Sequence, residues 1–257
     1  MPNMPAYAER SWELDEKSWW DLWNSSWRSE ELNDEVSVEL FGHVAHLLDG
    51  IAPNGPPRIL EVACGTGILS RGLRFSSYQG LDLSGAAIEI ANKKAESLAL
   101  PRGTSKPTYE AADFHDWTPP AEPFDVVMCI DAISCFRDQP LVMKKMAELV
   151  RSGGYVLLTT INPFVWKYIR RPDGGKCQCG PVSHWLTKPE MHALVQGAGL
   201  NLQRSYTIMP RGNRGILRLI NSRHWSRVVG ESGAKKLKAL KERAGLGQYR
   251  VVLAQKA

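Results

Sequence analysis

Glu61-Val62-Ala63-Cys64-Gly65-Thr66-Gly67, followed by a second apolar run over Tyr78 to Leu83 that contains Asp82, decides the fold. Arg58 to Val62 reads as a buried strand that stops at Gly65, and the spacing predicts a helix starting near Ile68. Such a turn leaves small residues and free backbone N–H groups facing a ligand. A carboxylate at the end of the next strand can accept from two ribose hydroxyls. The pairing of turn and acid predicts a nucleoside site.

The details of the turn narrow the ligand. The position three beyond Gly67 is Ser70, so the third glycine of a dinucleotide fingerprint is missing, and no Lys-Ser/Thr pair follows to hold phosphates. The glycines suit a ligand without pyrophosphate.

Downstream, short apolar strands alternate with helices. Ser84 is placed to cap a helix carrying Ala87, Ile90 and Ala91. Strands are expected at Pro107 to Ala112, at Phe124 to Ile130 and at Tyr155 to Thr160, with a helix over Leu141 to Val150. Thr187 and Glu190 form a capping box for a helix over Glu190 to Gln196. Leu202 to Met209 and Tyr249 to Ala254 read as the last two strands, the final one pairing antiparallel with an edge of the earlier sheet. The fold class is α/β.

Upstream, the first 54 residues read as a helical N-terminal cap ahead of a main domain over 55–257. Trp12, Trp19, Trp23 and Trp27 recur at helical spacing, with Trp20 and Leu22 widening the stripe. Five of the nine tryptophans fall in the first 27 residues, too much aromatic area to leave in water. A second helix, Asn33 to Leu48, sets Val36, Leu40, Val44 and Leu47 on one face. Residues 164–185, with Phe164, Trp166 and Tyr168, and residues 210–247, a lid insertion before the last strand, are further pocket material.

Composition bounds the function. Five cysteines without a regular framework, no leader and no long apolar span lead to the expectation of a cytoplasmic protein that crosses no membrane. The net charge of +5 is uneven: residues 1–60 hold 11 Asp/Glu against 4 Lys/Arg, and residues 201–257 hold 13 Lys/Arg against 2 Asp/Glu. No zinc finger, RNP pattern or arginine-rich repeat accompanies the basic end, so a solvated surface is expected there and nucleic acid is not the expected partner.

The motifs together resemble the class I S-adenosylmethionine-dependent methyltransferases. Glu61 through Gly67 matches their first motif, Asp82 their second-strand acid, Asp113 in Ala112-Asp113-Phe114 their adenine-site acid, and Asp125 through Asp131 their fourth-strand exit. His184-Trp185-Leu186-Thr187-Lys188-Pro189-Glu190 and Ala198-Gly199-Leu200 look like the distal part of ubiquinone-biosynthesis-like and other small-molecule O-methyltransferases. The resemblance implies a Rossmann-like, seven-stranded mixed sheet with the last strand antiparallel, and S-adenosyl-L-methionine as cofactor. Glu61 is then expected at the ammonium, Gly65 and Gly67 along the backbone approach, Asp82 at the ribose and Asp113 at the adenine amine. Phe114 or Ile130 would lie on the ring, with Ala63 and Leu83 completing the contacts.

Methyl transfer from a sulfonium needs alignment and a base for a weak nucleophile, and no metal. His184 is the expected base, a structural histidine bonded to a loop carbonyl being the competing reading. Trp19, Trp23, Trp166 and Trp185 are expected around a flat or apolar acceptor, although docking a helix or forming a dimer face would also bury the stripe. Cys177-x-Cys179 near His184 lacks a second close pair, so no metal is expected. The resulting expectation is an enzyme, monomer or homodimer, methylating an oxygen of a small molecule. Transfer to nitrogen or carbon, an RNA or protein acceptor, and a cofactor-binding interaction module are the alternatives. The fourth strand lacks the Asn/Asp-Pro-Pro-aromatic tetrad used for planar nitrogen.

Overall fold

The structure is a computed structural model that describes residues 15–26, 35–52, 54–98, 104–165, 184–210 and 223–257. Helices α1 (Glu16–Ser26) and α2 (Glu35–Ile51) precede β1 (Arg58–Val62), β2 (Ser77–Asp82), α3 (Gly85–Glu96), β3 (Thr108–Ala111) and β4 (Phe124–Ile130). Then come α4 (Gln139–Leu149), β5 (Val150–Ile161), a single turn α5 (Pro163–Val165), α6 (Lys188–Gly197) and β6 (Leu200–Ile208). A helix α7 (Arg223–Arg243), interrupted at Gly230, leads to β7 (Tyr249–Lys256). Among the described residues no helix is long and apolar enough to cross a membrane.

The strands form one seven-stranded sheet in the order β3-β2-β1-β4-β5-β7-β6. The first five are parallel, and β7 runs antiparallel to both β5 and β6. The final strand pairs antiparallel with β5, as expected, and β6 adds outside it as the edge. Every residue from Val251 to Ala254 is buried, which suits an interior position covered on both faces.

Alternation along the strands divides the core in two. Leu60, Val127, Leu158 and Val252 face α4 and α6, whose Val142, Met143, Met146, Met191 and Val195 complete one cluster. Ile59, Val126, Leu157 and Leu253 face α2, which contributes Leu40, Val44, Leu47 and Leu48 to the other. Each fully buried aliphatic side chain stabilises the fold by roughly 1.5–3 kcal/mol. Helix α2, placed by sequence in the N-terminal cap, is thus part of the sheet's own packing.

Local chemistry sets the helix boundaries. Ser84 Oγ accepts from Ala87 N–H and starts α3, and Asp138 accepts from Leu141 N–H at the start of α4. At α6 the box closes, Thr187 N–H and hydroxyl both donating to Glu190 Oε2 at 2.7 Å. The helix expected near Ile68 is only a three-residue 3-10 turn, Leu69–Arg71.

Candidate cofactor and acceptor site

At the carboxyl edge, the turn after β1 and the end of β2 are bonded to each other. Asp82 accepts from Gly65 N–H at 2.7 Å and from Ser84 N–H at 2.9 Å. Its carboxyl is half-buried, and burial raises its pKa above the ordinary value against the pull of those two N–H groups. A Cβ built on Gly65, at φ +53°, meets nothing within 4 Å, so this glycine borders open space. Gly67 differs. At φ +67° its Cβ would stand 2.6 Å from the Tyr109 ring, whose hydroxyl lies 2.6 Å from Ser70 Oγ. Gly67 therefore admits Tyr109 to the turn, a packing role where direct ligand approach was expected.

Glu61 is 3 % exposed and receives the Tyr78 hydroxyl, and burial pushes its carboxyl up to about 8. In this arrangement it is a buried partner of Tyr78 and does not face open space as an ammonium acceptor. Asp113 is exposed two residues beyond Ala111, which pairs in register with Asp82. One of its oxygens accepts from His115 N–H at 2.9 Å. Phe114 is 3 % exposed, stacked on Trp117 with Lys145 over its ring, so its face is occupied by protein and the expected stacking on adenine is corrected. Ile130 is 8 % exposed in the α2-side core, and Leu83 and Ala63 are half-buried at the strand ends.

Two non-glycine residues adopt left-handed backbone at adjacent strand ends: Ala63 after β1 (φ 57°) and Asp131 after β4 (φ 57°). Such strain concentrates at functional sites. Asp131 stays open to solvent on one side while protein hems its carboxyl on the others. The lost hydration pushes it up to about 7, against a stabilising hydrogen bond from Tyr249. The sequence marked Asp131 only as the end of the fourth-strand exit and Tyr249 only as the start of the last strand, neither with a role. The signal that marked Asp82, an acid closing an apolar strand, was present at Asp131 as well. Tyr249 is positioned through Asn162, whose side-chain amide donates to Gly245 O at 2.9 Å and Gly247 O at 2.8 Å.

Helix α1 lies across this edge. Asp21 accepts from Ser84 Oγ at 2.8 Å and Ala86 N–H at 3.1 Å, and Glu16 pairs with Arg137 at 3.3 Å. The helix is thereby pinned to the start of α3 at one point and to the segment before α4 at another. Trp19 and Trp20 stand edge-on, half-buried, with centroids 4.8 Å apart. Cys135 senses Asp131, Glu16 and Asp82 together, and its thiol is pushed up to about 12, mainly by burial. Carboxylates from three elements thus lie close enough to Cys135 to act on it, and their summed charge favours a cationic ligand nearby.

His184 has a side chain 56 % exposed, its Nε2 3.1 Å from Glu190 Oε1. Thr187 hydrogen bonds, with His184 as a smaller contribution, hold Glu190 down at about 2. The main chain of His184 is tied to Ser134 O and to the Gln139 amide. Trp185 is half-buried beside it. The side chain of Trp23, all of Trp166, and Cys177 and Cys179 lie outside what the structure describes. Of residues 164–185 only the two ends are described, and the described part of 210–247 anchors to α2 through Lys238–Glu39 at 2.6 Å and to β6 through Thr207 and Glu242.

The turn after β1 therefore offers open space at Gly65 beside Asp82, with the carboxylates of Glu16 and Asp131 near Cys135. Residues 36–205 match the family described as a methyltransferase domain. A ubiquinone biosynthesis O-methyltransferase of Alkalilimnicola ehrlichii is 31% identical over 147 residues, 56% of this chain and 55% of that protein. The chain thus spans just over half the length of that relative. A protein of the same name from Cupriavidus pinatubonensis is 28% identical over 72% of this chain and 73% of its own. Among solved structures, magnesium protoporphyrin IX methyltransferase from Synechocystis with bound SAM superposes with TM-score 0.56 at 15% identity, covering 95% of this chain and 98% of that one. A Mesorhizobium loti S-adenosylmethionine dependent methyltransferase gives 0.54 at 18%, over 82% and 96%. The chain belongs to the class I S-adenosylmethionine-dependent methyltransferases.

Proposed function

We propose that the chain methylates an oxygen of a small, flat or apolar molecule, with Asp131 as the base. The observation that carries this reading is the strained carboxyl after β4, held by Tyr249 and pushed up to about 7. A group with that pKa is half ionised near neutrality and can take a proton from a hydroxyl as it attacks. The two ubiquinone biosynthesis O-methyltransferases support oxygen as the accepting atom.

S-adenosylmethionine, when bound, supplies an electrophilic methyl on a sulfonium. The chain's own residues do the rest. Asp82 and Gly65 hold the ribose side, and Asp113 stands at the adenine side. Asp131 orients the acceptor hydroxyl and receives its proton. Trp19 and Trp20 on α1 exclude water from the same edge. His184, tied to Glu190 at an exposed rim, is a positioning residue for the start of α6 in this scheme. A cytoplasmic, small-molecule enzyme remains the whole-protein reading.

The test is turnover of a phenol panel with labelled methyl donor, comparing the wild type with Asp131→Asn. Labelled ether product lost in the variant supports the reading. Product on nitrogen or carbon overturns the choice of atom, and full activity in Asp131→Asn overturns the choice of base.

A further inference from the structure

The α6 side of the sheet holds polar groups that nothing in the cofactor site uses. Arg250, the second residue of β7, is 7 % exposed, and its Nε is buried without a hydrogen-bond partner. Among the described residues no carboxylate pairs with it. By alternation it shares a face with Val252 and Ala254, directly opposite Thr160 of β5 and Thr207 of β6. Ser205 is opposite Val252 on that same face, and its hydroxyl is also buried and unpartnered. From above, α6 contributes His192, whose Nε2 is a third buried atom without a partner. The His192 imidazole is pushed down by burial and then by the positive charges of Lys188 and Arg250, so it lies within reach of both. The nearest acid on α6, Glu190, is engaged by Thr187 and His184.

A buried guanidinium is costly unless an anion or strong acceptors meet it. Among the described residues no hydrogen bond or ion pair brings an anion to it; Glu242, whose carbonyl accepts from Thr207 Oγ1 opposite Arg250, keeps a buried carboxylate oxygen of its own without a hydrogen-bond partner. The group stands at the sheet's carboxyl edge, where Tyr249, the preceding residue, turns to the opposite face and bonds Asp131. Thr160, opposite Arg250, lies 2.8 Å from Ser134 through their hydroxyls, next to Cys135. Two strand spacings separate β4 from β7, roughly 10 Å, the reach of one aromatic ring bearing a hydroxyl at one end and an acid at the other.

We propose that Arg250, His192 and Ser205 form a seat for an anionic group, a carboxylate or a phosphate, on the methyl acceptor. This rests on the methyl-transfer reading and specifies its substrate class. The acceptor presents a hydroxyl to Asp131 while its acid is held one ring away by a planar, forked donor. The seat selects acids over neutral analogues, because a neutral ligand leaves the guanidinium desolvated and unmet.

The experiment titrates the full chain, preloaded with S-adenosylhomocysteine, with 4-hydroxybenzoate, 4-hydroxyphenyl phosphate and neutral 4-hydroxybenzamide at matched ionic strength. The expected result is at least tenfold tighter binding of an acid than of the amide, and the tighter of the two acids identifies the anion. Arg250→Met removes the preference with S-adenosylhomocysteine affinity changed less than twofold, and His192→Gln, which does not depend on replacing a buried charge, reduces it at least threefold. Equal binding of acids and amide by the wild type overturns the seat, as does a preference that survives in both variants. Cofactor binding is measured in the same titrations. Its absence in the wild type, with an anion preference still removed by Arg250→Met, overturns the methyl-transfer reading and leaves the anion seat standing.

Discussion

The two flanks of the sheet's carboxyl edge treat their polar groups in opposite ways. At β1 and β2 the protein satisfies its own groups: Asp82 takes the N–H groups of Gly65 and Ser84, and Asp21 takes Ser84 Oγ and Ala86 N–H. At β6 and β7 it leaves Arg250 Nε, His192 Nε2 and Ser205 Oγ unmet. Groups already bonded meet a ligand with little reorganisation, whereas buried donors left unmet are costly until a partner reaches them. The difference separates a fixed flank, its groups already bonded, from an open one, with Asp131 between them.

The largest expected effect falls on that dividing residue. Asp131→Asn keeps an acceptor for Tyr249 but removes the base, and lowers kcat by about 10²–10⁴. Because the base works ionised and its carboxyl lies at about 7, the wild-type rate rises as pH passes upward through that value. The Asn variant has no such rise. A variant with the wild-type pH profile breaks the assignment. On the fixed flank, Asp82→Ala weakens cofactor binding by about 100-fold in calorimetry, the loss of a doubly bonded charged acceptor. Unchanged affinity would place the ribose elsewhere.

The two glycines sharpen the comparison within one turn. Gly67→Ala drives a methyl into Tyr109 at a left-handed position and costs about 2–3 kcal/mol, a fall in Tm of about 5–10 °C. Gly65→Ala has room for its Cβ, so it costs only about 1 kcal/mol of stability and acts chiefly on cofactor affinity. The smallest effect is expected at His184. His184→Ala changes kcat less than threefold, since its ring is engaged by Glu190 at the rim, and a loss of a hundredfold would restore it as the base.

Much of this was legible in the chain. Uninterrupted apolar runs such as Phe124 to Ile130 mark buried parallel strands, and Ser84, Thr187 and Glu190 mark helix starts through local bonds that need no tertiary context. Asp82 was readable because its place after a turn is fixed by local spacing. The packing of Gly67 carries no local signal, because its neighbour Tyr109 comes from a strand two positions away in the sheet. Phe114 is similar: pattern shows that a ring is apolar but not that Trp117 and Lys145 pack against it. Arg250 carries no local signal at all. Its interest arises from what β5, β6 and α6 fail to bring to it.

The interior place of β7 has a bearing on biosynthesis. Since translation proceeds from the amino end, six strands leave the ribosome before Tyr249–Lys256, yet β6 meets the rest of the sheet only through that late segment. Until it emerges, β5 and β6 each present an unpaired, adhesive border. A nascent chain stalled short of Tyr249 would therefore be a natural client for chaperones, while the emergence of Tyr249–Lys256 zips both borders shut at once.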